Sequence, residues 1–160
     1  MSVLVNEGRA AIATAIANRP LHLAWGEGDP TWDDNNPPAP PVDTNVLESE
    51  VGRRALHSWE YCTPDENGDI QTTTGRYSIS ADPTPHLYLS FKYDYEDASD
   101  KVIREAAVFM DTEFVAGLPA GQKYFQAAQV TNAGLMLSLE RLYIPRTPSS
   151  RETIDLVITF

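Results

Sequence analysis

The most unusual hydrophobic pattern in the chain runs from Val102 to Met110 and reads VIREAAVFM. Side chains alternate between the two faces of a strand, so Glu105 shares one face with Ile103 and Phe109, and Arg104 lies among apolar residues on the other. A strand that is apolar on both faces is typically buried on both. The pattern therefore predicts a central strand that carries two buried charges.

Burying an ionised group is costly unless it is paired and hydrogen-bonded, so we expect a dedicated partner for each charge. The candidate partners are Glu50 for Arg104 and Arg53 for Glu105. Catalysis is another reason to keep charges in a core, but structural pairing is the commoner explanation. We therefore interpret the pair as structural.

Alternation of period two predicts most of the remaining chain to be strand. It is clearest from Leu87 to Tyr95, where a half-buried antiparallel strand is expected to form a hairpin with the 102–110 strand. A second hairpin is predicted at Asn67-Gly68, joining a strand that ends near Cys62 to one that begins near Ile70. Further strands are predicted over residues 54–62, 124–130, 135–144 and 153–160.

The first 25 residues predict a helix followed by a short strand. Ile12 and Ile16 lie one helical turn apart among alanines, so a helix is expected over residues 4–18, with Asn6 as its cap and Asn18 at a left-handed exit. The strand LHLAW, which ends at Trp25, then enters a glycine turn. The predicted fold is α+β: a sandwich-like, mainly antiparallel β body with one N-terminal helix, in a single domain of residues 1–160.

Residues 29–45 are rich in proline, Asp and Asn, so regular secondary structure is not expected there. Loops of this length are usually functional or disordered. Trp32 within this proline-rich arm indicates docking, either on its own domain or on a neighbouring subunit. We expect the free arm to be mobile. The segment YIPRTPSS, residues 143–150, is a candidate second arm that extends from the body.

Composition narrows the function classes. The chain has 23 acidic and 12 basic side chains, a formal charge of −11, which disfavours binding to nucleic acid. No apolar run is long enough for a membrane span, and the N-terminus lacks the pattern of a signal peptide. A single cysteine, Cys62, cannot form an intrachain disulfide and is interpreted as a small core residue, which fits a reducing compartment of synthesis.

No motif for catalysis or metal binding is present. The acidic residues Glu27, Asp29, Asp33 and Asp34 lack the spacing of a known metal loop, and the EF-hand-like run at Asp65 has Ile70 in place of the required glycine. The three histidines are scattered. We expect no catalytic residue, no metal and no cofactor. The alternatives are a small acidic inhibitor or assembly chaperone, suggested by the charge, and a cell-wall glycan hydrolase, suggested only by abundant carboxylates.

In their order along the chain, several segments resemble the N-terminal, baseplate-attaching domain of the phage tail-collar fibre family. They are EGRAAIATAIANRP, LAWGEGD, a proline-bearing loop, LESEVGRR and VIREAAVF. The resemblance assigns scaffold roles to Gly26, Gly28 and Asp29 in the turn after the first strand, to Glu50 and Arg53 after the loop, and to Ile103, Arg104 and Glu105 in the central strand.

Members of that family continue into a long shaft and a receptor-binding tip, which this sequence does not show. The resemblance therefore implies a structural component of a contractile phage tail that acts as a baseplate subunit or as an adaptor for tail fibres. Its expected partners are other tail or baseplate proteins and a tail fibre protein, with several copies in each virion. The candidate structural or interface residues are Trp25, Gly26, Gly28, Asp29, Trp32, Glu50, Arg53, Ile103, Arg104, Glu105 and Phe109.

Overall fold

The computed structural model describes residues 1–160, which group into two compact units. Unit 1 comprises residues 1–19, 56–91 and 153–160, and unit 2 comprises residues 20–55 and 92–152. The predicted α+β class, mainly antiparallel β with one N-terminal helix, is confirmed. The single domain over residues 1–160 stays a prediction.

The elements in chain order are α1 (Asn6–Ala17), β1 (Leu21–Gly26), β2 (Glu50–Ala55), β3 (Ser58–Pro64), β4 (Ile70–Thr72), β5 (Gly75–Ser80), β6 (His86–Tyr93), β7 (Val102–Met110), β8 (Glu113–Phe114), β9 (Tyr124–Gln126), β10 (Val130–Asn132), β11 (Leu135–Pro145) and β12 (Glu152–Thr159). Two short 3-10 turns lie at Pro30–Asp33 and Ala127–Gln129.

Unit 1 is built on a sheet with the strand order β12-β6-β3-β5-β4. The predicted alternation in β6 is confirmed, because Leu87, Leu89 and Phe91 are all fully buried. Cys62 of β3 is also fully buried, and this burial raises the pKa of its thiol to about 11. The core of this unit is therefore formed chiefly by uncharged side chains.

Unit 2 is built on a sheet with the order β11-β7-β1-β2-β9, beside a two-stranded sheet of β10 and β8. β7 lies between β11 and β1 and is antiparallel to both. Every residue from Ile103 to Phe109 is buried, which confirms that the strand is covered on both faces. Ala107 and Phe109 pack with Ala24 of β1 and with partly buried residues of β11.

Both predicted hairpins are wrong. β6 and β7 belong to different sheets, although only eight residues separate them. β3 pairs with β5, and β4 pairs with β5 at the sheet edge, so an additional strand lies between the two that we expected to pair. Asn67 and Gly68 both lack a positive φ. Asp65 instead accepts the backbone N–H of Asn67, which forms an Asx turn.

The predicted strand over residues 54–62 is divided at Leu56 and His57. Its first part is β2 of the unit 2 sheet and its second part is β3 of the unit 1 sheet. Local alternation continues through the break, so the sequence pattern did not reveal the change of sheet.

The helix is confirmed, but its predicted cap and exit are wrong. Asn6 is already helical, and Val5 before it makes no side-chain cap. Asn18 ends the helix with a φ of −83°, which is not left-handed. The buried positions are Ala13 and Ala17, whereas Ile12 is exposed.

Candidate functional site

Arg104 ties the proline-rich arm to the central strand of unit 2. Its Nε and Nη2 donate to the two carboxylate oxygens of Asp33, each at 2.7 Å, and its Nη1 donates to the carbonyl oxygen of Glu27 at 2.9 Å. This is the two-pronged geometry that makes arginine–carboxylate pairs strong. The hydrogen bonds from Arg104 lower the pKa of the Asp33 carboxyl.

The turn after β1 is shaped to admit Trp32. Asp29 accepts the backbone N–H of Thr31 at 2.8 Å and so caps the 3-10 turn that carries Trp32. Gly28 has a φ of +60°, and a Cβ there would lie 2.6 Å from the Trp32 ring and 2.9 Å from Cβ of Arg104. Glycine is required at this position for two reasons: its backbone is left-handed, and the Trp32 ring and Arg104 leave no space for a side chain.

Trp32 is half-buried, with the guanidinium of Arg141 4.2 Å from its ring centroid. Arg141 also donates through Nη1 to the carbonyl oxygen of Pro38. Of the two docking alternatives for Trp32, the structure therefore has the tryptophan on its own chain, and the start of the arm is held rather than mobile. From residue 34 to residue 46 most side chains remain exposed, including Val42 and Val46.

Glu105 is buried on the face of β7 opposite to Arg104, with 2 % of its surface exposed. Its Oε2 accepts the backbone N–H of Glu48 at 2.8 Å, and its Oε1 lies 3.4 Å from Nε of Arg141, which is directly across the ladder on β11. A Cβ on Gly26 would lie 2.8 Å from the carbonyl oxygen of Glu48. The glycine at the end of β1 therefore leaves room for this loop.

Arg53 is the most buried arginine, with 2 % exposed. Its Nε donates to Glu50 at 2.7 Å, and its Nη1 donates to the hydroxyl of Thr112 and to the carbonyl oxygen of Ala133. Its guanidinium also lies 3.8 Å from the ring centroid of Phe109. Hydrogen bonds and an aromatic face together compensate for the loss of hydration.

The expected burial of Arg104 and Glu105 is confirmed, but both predicted partners are wrong. Glu50 pairs with Arg53, and the true partners come from the arm and from β11. The register places Glu50 and Glu105 opposite Gly26, on the same face of the sheet. Arg104 projects from the other face, so Glu50 cannot reach it.

The second candidate arm, residues 143–150, is tied down by Arg146. This side chain is 5 % exposed and donates to the carbonyl oxygens of Asp94, Asp97 and Ser150. The expectation that this segment extends freely from the body is therefore wrong at Arg146. The buried Asp97 carboxylate accepts from Arg54 at 2.9 Å, while burial raises its pKa.

Trp25, a candidate interface residue, and His22, which was not a candidate, both belong to the core of unit 2. Trp25 is fully buried and stacks on Tyr93, with ring centroids 3.4 Å apart. His22 lies edge-on to the rings of Phe114 and Phe125, and its Nδ1 has no hydrogen-bond partner. Burial, assisted by the charge of Arg53, lowers the pKa of His22 to about 4. No sequence motif indicated that this histidine is buried in an aromatic environment.

A cleft of about 390 Å³ lies between the arm and β11. Its lining residues are Trp32, Asp33, Pro37, Arg104, Arg141, Leu142 and Tyr143. Tyr143 is 59 % exposed. The cleft thus combines aromatic and proline surfaces with two arginines, and sequence analysis missed the contribution of β11 to it.

The arrangement is suited to binding. No group of three or more His, Cys, Asp or Glu side chains is placed to hold a metal ion. Three of the acidic residues near the arm are engaged: Asp33 pairs with Arg104, Asp29 caps a turn and Glu27 pairs with Lys101. No helix of the structure is long and apolar enough to cross a membrane.

The structure is mainly β, with an exposed proline-rich arm and a cleft beside it. The family model described as "Baseplate wedge 3 tail fiber network component" matches residues 1–160, so the chain belongs to this family. No curated protein sequence matches the chain. The chain is thus a component of the phage tail baseplate and associates with other tail proteins, as the sequence resemblance predicted.

Proposed function

We propose that the chain is a non-enzymatic adaptor that joins a tail fibre protein to the baseplate wedge, in several copies per virion. The observation that carries the proposal is the proline-rich arm. Its start is fixed to β7 by the Arg104–Asp33 pair, while residues 34–43 expose nearly all of their side chains. A segment that is anchored at its base and exposed beyond it suits contact with another chain.

The charge distribution supports an adaptor that finds a specific partner. A formal charge of −11 opposes non-specific contact between free copies, and a partner with complementary charge overcomes this repulsion. Repetition of the contact around the tail axis would reinforce weak individual interfaces. Synthesis in the host cytoplasm, before incorporation into the virion, belongs to the same proposal.

Particles assembled with an arm variant test the proposal. In the variant, residues 35–42 are replaced by glycine and serine, which leaves Trp32 and Asp33 in place. The matched control replaces Glu66 and Asn67, which are exposed in a turn of unit 1, in the same way. We expect mass spectrometry of purified virions to find the wild-type and control chains, and the arm variant to give virions that lack tail fibres or the chain itself.

The outcome that contradicts the adaptor role is a normal number of tail fibres with the arm variant. Absence of the wild-type chain from purified virions, together with a requirement for it during infection, would favour the inhibitor or chaperone alternative. Release of sugars from cell-wall glycan by the purified chain would favour the hydrolase alternative.

A further inference from the structure

We propose that the cleft between Trp32 and Tyr143 receives the proline-rich arm of a second copy of this chain. This deepens the proposed function and rests on it, because it requires neighbouring copies in the baseplate. The contact would be heterologous: the arm of one copy enters the cleft of the next.

The cleft has the chemistry that recognises an extended proline-rich segment. Such segments dock into grooves lined by aromatic side chains, because they are already extended and lose little conformational entropy on binding. Trp32 and Tyr143 supply aromatic surface, and Leu142 adds apolar surface. The arm of the same chain forms one wall of the cleft, at Pro37. It is held there because Arg141 donates a hydrogen bond to the carbonyl oxygen of Pro38.

The arm supplies the matching ligand. Residues 35–42 read NNPPAPPV and carry no charge, in a chain whose net charge is −11. Val42 is fully exposed, and Pro41 beside it is exposed as well. An uncharged stretch is the part of this acidic protein that a second copy can approach with the least electrostatic repulsion.

The charges in the cleft are already paired, as expected of a site for an uncharged segment. The uncharged stretch lies between Asp34 and Asp43, and the cleft contains Arg104 and Arg141. The three nitrogens of Arg104 are already bonded to Asp33 and Glu27. Arg141 is also engaged, because its side chain is only 11 % exposed, lies 3.4 Å from Glu105, donates to the carbonyl oxygen of Pro38 and covers the Trp32 ring. The cleft therefore offers no unpaired charge, which suits an uncharged segment.

A heterologous contact between identical chains forms a ring when the rotation closes. A ring of chains linked arm to cleft would suit the several copies per virion of the proposed function. The contact would fix the distance between neighbouring copies.

The first test measures binding of a synthetic peptide, DNNPPAPPVD, to the full chain by NMR. We expect saturable shifts at the Trp32 indole N–H and at the amides of Leu142 and Tyr143. The control peptide replaces the four prolines by alanine and keeps both aspartates. Tyr143→Ala should weaken binding of the proline peptide on the order of tenfold, whereas Tyr95→Ala, at an exposed tyrosine outside the cleft lining, should not.

The second test uses self-association in sedimentation equilibrium, because the chain's own arm competes with an added peptide. Tyr143→Ala removes the cleft surface, and Pro40→Ala combined with Pro41→Ala alters the arm. Each variant alone should associate less than wild type. Mixing the two should restore heterodimers, since the mixture contains one intact cleft and one intact arm.

Equal binding of the proline and alanine peptides, or no recovery of association on mixing, would overturn the inference. Either result leaves the adaptor role standing, because that role is judged by the presence of the chain and of tail fibres in virions. Conversely, chains that associate arm to cleft but give virions with a normal number of tail fibres when the arm is altered would support the arm-to-cleft contact and contradict the adaptor role.

Discussion

The two units differ in how they treat charge. Unit 2 buries Arg53, Glu105 and Arg146, each with hydrogen-bonding partners, whereas the buried residues of unit 1 are apolar or carry hydroxyl groups, as at Thr84. The core of unit 1 therefore depends mainly on burial, whereas the core of unit 2 also depends on particular hydrogen-bonding partners. A buried charge is tolerated only when geometry and partners are both correct, so it contributes specificity more than stability.

The largest expected effect is the loss of Arg53. Arg53→Ala removes the partner of Glu50 and takes one donor each from the Thr112 hydroxyl and the Ala133 carbonyl, so we expect a loss of about 3–5 kcal/mol in the free energy of unfolding. Urea denaturation measures it. Arg151→Ala is the control, since Arg151 is 64 % exposed and should leave the midpoint nearly unchanged. A small effect at Arg53 would mean that the charges of unit 2 are dispensable.

The corresponding test in unit 1 is Leu89→Ala. Leu89 is fully buried on β6, and its truncation should cost about 2–5 kcal/mol through lost burial and the cavity that remains. Leu89→Met, which conserves volume, should cost less than about 1.5 kcal/mol. If both substitutions had equal effects in urea denaturation, packing volume would not be what stabilises this unit.

The pH dependence of stability should arise in part from His22 of unit 2. Its pKa of about 4 in the folded state lies below the ordinary 6.5, so between these values the unfolded chain binds a proton that the folded chain does not. This contribution is fully present above pH 6.5 and is lost as the pH falls towards 4, by about 2–3 kcal/mol.

His22→Phe should flatten that part of the curve, measured by denaturation at a series of pH values. His57→Gln, at an exposed histidine of unit 1, is the control and should leave the slope in place. A slope that survives His22→Phe would assign the pH dependence to other groups.

The smallest expected effect is at the link between α1 and β3 in unit 1. The hydroxyls of Thr14 and Tyr61 lie 2.7 Å apart, and Tyr61→Phe should cost about 0.5–1.5 kcal/mol. The double variant with Thr14→Val should cost less than the sum of the two single variants. Additive effects in thermal denaturation would show that the two hydroxyls do not interact.

Prediction from sequence succeeded where one strand or helix contained the whole signal. The boundaries of β7 were correct, and the buried face of β6 followed from its alternation. Prediction failed for the question of which strands lie side by side. β5 lies between the two strands expected to form a hairpin, and β6 and β7 belong to different sheets. Alternation reports which side of a strand is buried, but it does not identify the strand beside it.

Local sequence was enough to predict that Arg104 and Glu105 are buried, because their apolar neighbours place them inside a covered strand. The prolines of residues 29–45 argue against regular structure, since proline lacks the N–H that helices and strands use, and no strand lies there. The pairing of Asp33 with Arg104 and of Arg141 with Glu105, and the contact of Arg141 with Trp32, depend on the folded chain. Those contacts join residues 71 and 36 positions apart along the chain, and their partners are selected by register and loop path, which no local pattern encodes.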